Sequence, residues 1–214
     1  MMTQTHGLIA AALFASPSRS RFHNSVVLLG SLAPDLAIFA LFFWSKVQKI
    51  PEKTLWQDLY FSEPMLTVTA ITNSLPLYFF VLLIALLISL LHDKPRNAIE
   101  PPDTTLRATR LWQLISRSAL ALFAFAAITH LFGDFPVHAA DAHPHFWPFS
   151  DWRFHSPVSY WDHRPYGNVF SYAEAVLGIA LSVIIFRRFR TPSIRALVVL
   201  TMCAYVAVPL YFSL

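Results

Sequence analysis

Apolar residues gather in six stretches, at 7–15, about 25–44, about 74–91, about 114–133, about 170–186 and about 196–213, separated by polar or basic segments. An α-helix rises ~1.5 Å per residue, so ~20 residues cross ~30 Å of hydrocarbon. Four stretches approach that length and 170–186 falls just below it. The pattern predicts an all-α polytopic membrane helical bundle, with about five spanning helices plus a short N-terminal helix, in one membrane-embedded domain over 1–214. The first stretch is too short to span alone. It has the length of a signal-peptide core, with Ala15 and Ser16 as small residues after it, but no Lys or Arg precedes it.

Composition agrees. Hydrophobic residues make up 56% of the 214 and charged ones 13%, and mean hydropathy is +0.50, which a soluble domain of this length does not match. No glycine-rich phosphate loop is present. The single cysteine, Cys203, lies in an apolar run, where a small buried hydrophobe is the expectation. The net charge of +4 does not point to nucleic acid. The basic residues cluster beside apolar stretches, at Arg19 and Arg21, from Lys94 to Arg117 and from Arg187 to Arg195, as cytoplasmic membrane edges do. The polar segment 92–113 reads as a cytoplasmic connection. The loop 138–168, rich in aromatic residues, His and Asp, belongs on the opposite side, where Trp147, Trp152, Tyr160 and Trp161 suit an interfacial belt. Lys46, Lys49 and Lys53 put positive charge on that same side, against the rule.

Measured from these basic edges, four ionisable residues fall at one depth. His6 lies 13 residues before Arg19, Asp35 lies 14 after Arg21, His130 lies 13 after Arg117, and Glu174 lies 13 before Arg187. Each distance corresponds to ~20 Å of helix. An ionised Asp in hydrocarbon costs about 2.5–3.5 kcal/mol, so such groups need pairing, water or a metal. Pro34 disturbs the backbone beside Asp35, which membranes tolerate in protein-buried or wet surroundings. The string HLFGDFPVH puts His130 and Asp134 at i, i+4 on one helix face, a spacing that suits either one metal ion or a hydrogen-bonded pair. His138 continues the spacing, although Pro136 threatens to end the helix first. The loop beyond supplies Asp141, His143, His145, Asp151, Arg153, His155, Asp162 and His163. Arg153 fits an anion contact through its planar fork, or an ion pair with Asp151 or Asp162.

His6, the Leu-Ala-Pro-Asp string ending at Asp35, the Thr-Asn-Ser-Leu string at Thr72–Leu75, and the His130/Asp134 pair followed by His145-Phe-Trp-Pro148 resemble the YdjM-like family of bacterial inner-membrane proteins, regarded as metal-dependent hydrolases with a remote similarity to zinc-dependent phospholipase C. The resemblance implies an inner-membrane location and a metal site at the Pro-Asp motif, a Thr-His-Ser string and the His-x3-Asp pair. Asn73 stands where the family has the histidine of Thr-His-Ser, and an amide is a poor zinc ligand.

Together these readings lead to one expectation. Zn²⁺ is held by His6, Asp35, His130 and Asp134, with His138 as a further ligand. Glu174 or Asp141 acts as general base, Arg153 meets a phosphate, and Asn73 and His145 contact a lipid or lipid-linked phosphoester substrate in the bilayer. The alternative is a proton or metal-ion transporter or channel using the same intramembrane residues. A third reading is a scaffold whose polar residues only join helices.

Overall fold

The computed structural model describes residues 1–92, 113, 115, 117–159 and 165–213. Most of the 92–113 connection lies outside the described residues, as do Tyr160, Trp161, Asp162 and His163. Among the described residues there is no strand. The helices are α1 (Thr3–Phe14), α2 (Arg21–Leu32), α3 (Leu36–Val47), α4 (Glu63–Thr72), α5 (Leu75–His92), α6 (Ala119–Asp134), α7 (Pro165–Arg188) and α8 (Pro192–Ser213). A 3₁₀ turn at Ala33–Asp35 joins α2 to α3. Three helical runs are long and apolar enough to cross a membrane: Arg21–Val47, Glu63–His92 and Tyr166–Arg188. Ala119–Asp134 and Pro192–Ala207 are shorter apolar helices.

The sequence reading missed α4. The polar stretch after Trp44 does not stay irregular: a helical turn at Glu52–Thr54 runs into a π-helical turn at Leu55–Leu59, and α4 then leads through Asn73 and Ser74 into α5. Pro64 sits in the first turn of α4, where its missing N–H costs nothing.

The α1–α2–α6 contact forms the centre of the bundle, with α5 against α6, and α7 against α1 and α8. Small residues permit it. A Cβ on Gly30 of α2 would lie 2.3 Å from the Phe123 carbonyl oxygen of α6, so only glycine lets these backbones approach so closely. The termini are tied down by specific caps. Ser20 accepts from the His23 amide at 3.2 Å, Ser118 accepts from the Ala121 amide at 3.3 Å, and the Arg188 guanidinium donates at 2.7 Å to the Ala12 carbonyl in the last turn of α1.

Outside this centre the large apolar side chains point away from the protein. Phe79, Phe80, Leu83, Leu87 and Leu91 of α5, Phe43 of α3 and Val176 of α7 are all exposed, the inverse of a soluble bundle and what lipid covers in a membrane. Cys203 departs from expectation for the same reason. It is exposed, because α8 sits at the edge of the bundle, where an apolar run faces lipid as readily as protein.

Gly30→Ala is expected to lower thermal stability in detergent by about 1–3 kcal/mol, the range for forcing volume into a packed contact. Gly7→Ala is the control: its added Cβ meets nothing nearer than Ser31 Oγ at 3.9 Å. That change should be neutral or stabilise by about 0.5–1 kcal/mol. Equal melting temperatures for the two variants would contradict the close-approach account.

Candidate metal centre

α1, α2 and α6 each deliver one part of the site. Pro34 and the 3₁₀ turn bend the chain at Ala33–Asp35, bringing Asp35 inward and leaving the Pro34 carbonyl outside any helical ladder. That carbonyl accepts from Thr72 Oγ1 at 3.0 Å and from Asn73 Nδ2 at 3.4 Å. The broken backbone is therefore satisfied by the α4–α5 turn, as a low-dielectric interior requires. Thr3 of α1 donates to Asp35 Oδ2 at 2.5 Å, one helical turn from His6 on the same face of α1.

The centre is built on Asp134, 3% exposed and flanked by three imidazoles. His6 Nε2 donates to Asp134 Oδ1 at 2.9 Å, His130 Nε2 lies 3.0 Å from Oδ2, and His138 Nε2 lies 3.3 Å from Oδ1. The Met1 nitrogen also lies 2.5 Å from Oδ1. His130 Nε2 stands 3.5 Å from Asp35 Oδ1. The rings of His6 and His130 stack with centroids 3.6 Å apart. One ligand atom each from His6, His130 and Asp134 lie within 4.8 Å of one another, a grouping that could hold a metal ion. Gly133 makes room for it: a Cβ there would sit 2.9 Å from His6 Cε1.

The tautomer of His130 follows from its second contact. Its Nδ1 lies 2.6 Å from the Ser31 carbonyl, which can only accept, so the proton sits on Nδ1. Nε2 is turned toward the carboxylates of Asp35 and Asp134 and forms no hydrogen bond. Facing two carboxylates at this burial, Nε2 calls for positive charge between them, a proton or a metal ion. His6 Nδ1 is likewise buried without a hydrogen-bond partner. Imidazole nitrogen plus carboxylate oxygen, with the far nitrogen fixed by a carbonyl, is the donor set and outer contact that zinc-type sites use.

The loop after α6 completes the surroundings. The helix stops at Asp134, yet the turn through Pro136 still carries His138 back to Asp134. The loop folds over that turn: Ser156 N donates to the His138 carbonyl at 2.9 Å, and His155 Nδ1 donates to the Ala139 carbonyl at 2.7 Å. Asp141 accepts from His138 Nδ1 at 2.7 Å. Burial alone would raise the Asp141 carboxyl, but the hydrogen bond and charge of His138 hold it below its ordinary value. Burial pushes His143 down to about 3, so its ring is neutral. It sits 5.6 Å from His138, ring to ring.

The remaining predicted residues occupy other places. Glu174 is buried at 3% exposure, as the depth count implies. It does not join the donor group: Oε1 accepts from the Met2 amide at 2.6 Å, and Oε2 has no hydrogen-bond partner. Asn73 and His145 form a seam between loop and helices. His145 Nδ1 donates to the Asn73 carbonyl at 3.1 Å, and the Leu75 amide donates to the His145 carbonyl at 2.8 Å. Asn73 thus holds the Pro34–Asp35 turn through its amide and His145 through its carbonyl. Arg153 donates to the Ala142 carbonyl at 3.1 Å, on the loop segment that carries Asp141 and His143.

Sequence reasoning missed Thr3, Ser31 and Gly133. Thr3 was legible at i, i+3 from His6, and Gly133 as a glycine between two ligand candidates. The Ser31 carbonyl carries no sequence signal.

No curated protein and no solved structure matches this chain. The donor cluster, the apolar helical runs and the aromatic, His-rich loop occur here in a chain whose residues 1–213 match the family model described as YdjM inner membrane protein, and the chain belongs to that family of multi-pass inner-membrane proteins.

Proposed function

We propose that this protein is a membrane-embedded metal-dependent hydrolase acting on a lipid or lipid-linked phosphoester. One observation carries the reading: His130 Nε2, held in place by the Nδ1 contact to the Ser31 carbonyl, converges with His6 and the Asp134 carboxylate inside an apolar bundle. His6, His130 and Asp134 hold the cation, with Asp35 completing the set. Zinc is the natural occupant for two imidazoles and carboxylates. When bound, such an ion polarises a phosphoester and lowers the pKa of a water toward ~7.

The chain's own residues supply the rest. His138, oriented by Asp141 through the 2.7 Å contact, presents Nε2 at the Asp134 side of the cluster, where it can take a proton. The structural pairing favours this dyad over Glu174, whose carboxylate is engaged with Met2. Arg153, anchored on the loop by Ala142, offers its guanidinium to a phosphate. Asn73 and His145 fix the position of Asp35 relative to the loop. Ala119–Asp134 and Pro192–Ala207 serve as two further crossings, which makes five. The 16 residues of α6 measure only about 24 Å, so the cluster at its end sits below the membrane surface, within reach of a lipid headgroup. The basic ends lie on the cytoplasmic side and the site opens on the other.

The packing beneath the cluster favours hydrolysis over transport. Between the His6 layer and the Arg19 layer, Ala10 of α1, Val27 of α2, and Leu122 and Ala126 of α6 pack together at 0–2% exposure. This buried apolar layer, drawn from all three central helices, opposes the passage of an ion along them.

His130→Ala and Asp134→Ala should each reduce stoichiometric bound metal to background, measured by elemental analysis of purified protein, and abolish phosphodiester hydrolysis of phospholipids in detergent. Wild-type protein without bound divalent metal would end the proposal, and ion flux in liposomes without turnover would favour a transporter. Gly133→Ala should weaken metal binding by displacing the His6 ring, although every ligand residue is still present. Asp141→Asn should lower metal affinity or turnover about 10–100-fold, the usual range for an outer partner of a site imidazole. Wild-type behaviour in this last variant would remove Asp141 from the site.

A further inference from the structure

Helix α1 carries two of the side chains that surround the cluster, yet its own sequence does little to fix it in place. It has 12 residues, no capping side chain at its start, no acid in its first turn and no base in its last. At ~18 Å it is too short to cross hydrocarbon, and a helix of this length is marginal without partners. Its position along its own axis is therefore set by its neighbours.

The two faces of α1 meet different surroundings. Thr3, His6 and Ala10 turn toward Asp35, Asp134 and the core shared with α2 and α6. Thr5, Leu8 and Ala15 turn toward α7 and α8. Much of that second contact is smooth and apolar, with Leu8, Ala11 and Ala15 against Ile185, Phe189 and Val198. Such packing holds the helices together without fixing how far one slides along the other. A slip of one residue moves His6 by ~1.5 Å, about three times the ~0.5 Å within which a site must hold its groups.

Polar contacts from α7 close both ends. Glu174 Oε1 accepts at 2.6 Å from the amide of Met2, the residue that starts α1, and Glu174 is 3% exposed. At the other end Arg188 Nη1 donates to the Ala12 carbonyl at 2.7 Å and to the Ala15 carbonyl at 3.3 Å. An acid at the positive end of a helix dipole and a guanidinium at the negative end both favour this placement. The spans match: Glu174 and Arg188 are 14 positions apart and Met2 and Ala15 are 13, which is ~21 and ~20 Å of helix. Between the ends, Tyr205 of α8 shares a hydrogen bond with Thr5 at 2.7 Å. Its hydroxyl lies over Gly178, one turn beyond Glu174, where an added Cβ would collide with it.

We infer that α7 sets the axial register of α1 by gripping both its ends, with Glu174 and Arg188 as positioning residues that hold His6 level with His130 and Asp134. That the cluster takes a cation is carried over from the proposed function; the grip on α1 does not depend on it. Arg188 meets α1 six positions beyond His6, ~9 Å along the axis, so it acts on the cluster through α1.

The test uses full-length protein in detergent with ¹³C-labelled histidine, first metal-free and then titrated with zinc against a chelator. The His6 and His130 rings, stacked at 3.6 Å, shift each other's resonances and so read the register of α1 without any metal. Arg188→Ala and Glu174→Ala should each move both resonances while His92, exposed at the end of α5, stays as in wild type. Each should also lower zinc affinity about tenfold, as loss of an outer partner does. Arg188→Lys and Glu174→Gln, which keep a donor and an acceptor, should restore most of both readouts. Arg187→Ala, the exposed neighbour, should change neither. Unmoved His6 and His130 resonances in the two alanine variants, even with a lower melting temperature, would overturn the inference, as would an equal change in Arg187→Ala. A wild-type protein that binds no zinc but shows the expected resonance changes would remove the cation reading and leave the grip on α1 standing.

Discussion

The low dielectric of the bilayer governs this structure. A carboxylate or imidazole placed in hydrocarbon must find a partner of opposite charge or complementary hydrogen bonding, because water is not there to supply one. Asp134 meets that demand by drawing His6, His130 and His138 around itself from α1, α6 and the loop. Asp35 meets it through Thr3 and His130. Each of these residues would be a liability alone. Gathered, they form a cluster that could hold a metal ion.

The rest of the fold serves that gathering. Gly30 lets α2 sit against the α6 backbone, and Gly133 lets the His6 ring sit against α6. The Pro34 break turns Asp35 inward, and the freed carbonyl is taken up by Thr72 and Asn73. The same Asn73 accepts from His145, so one residue links the α4–α5 turn, the Pro-Asp turn and the loop over the site. The site is thus braced from both sides, which suits chemistry that depends on fixed ligands. The Asn73 amide donates to the Pro34 carbonyl through Nδ2, leaving the cluster's donors to α1, α6 and the Pro-Asp turn.

The two ends of the bundle differ in physical character. One end collects acids and imidazoles under an aromatic loop; the other collects arginines, with Arg188 donating to the last carbonyls of α1. A buried apolar layer at Ala10, Val27, Leu122 and Ala126 lies between them.

Hydrophobic runs and basic borders alone determine that the chain is a multi-pass helical membrane protein, because both follow from transfer free energies that depend on local composition. The common depth of His6, Asp35 and His130 was also legible, since helical rise converts residue counts into distance. Glu174 has the same depth and is buried, yet only the tertiary arrangement decides that it faces Met2 and not the cluster: depth fixes height along a helix, whereas rotation about the axis is set by packing. The return of His138 to Asp134 after Pro136, the continuation of the polar stretch after Trp44 into α4, and the lipid-facing side chain of Cys203 were equally undetermined by local pattern. Each depends on which neighbour occupies the adjacent space, and that is decided only when the helices come together.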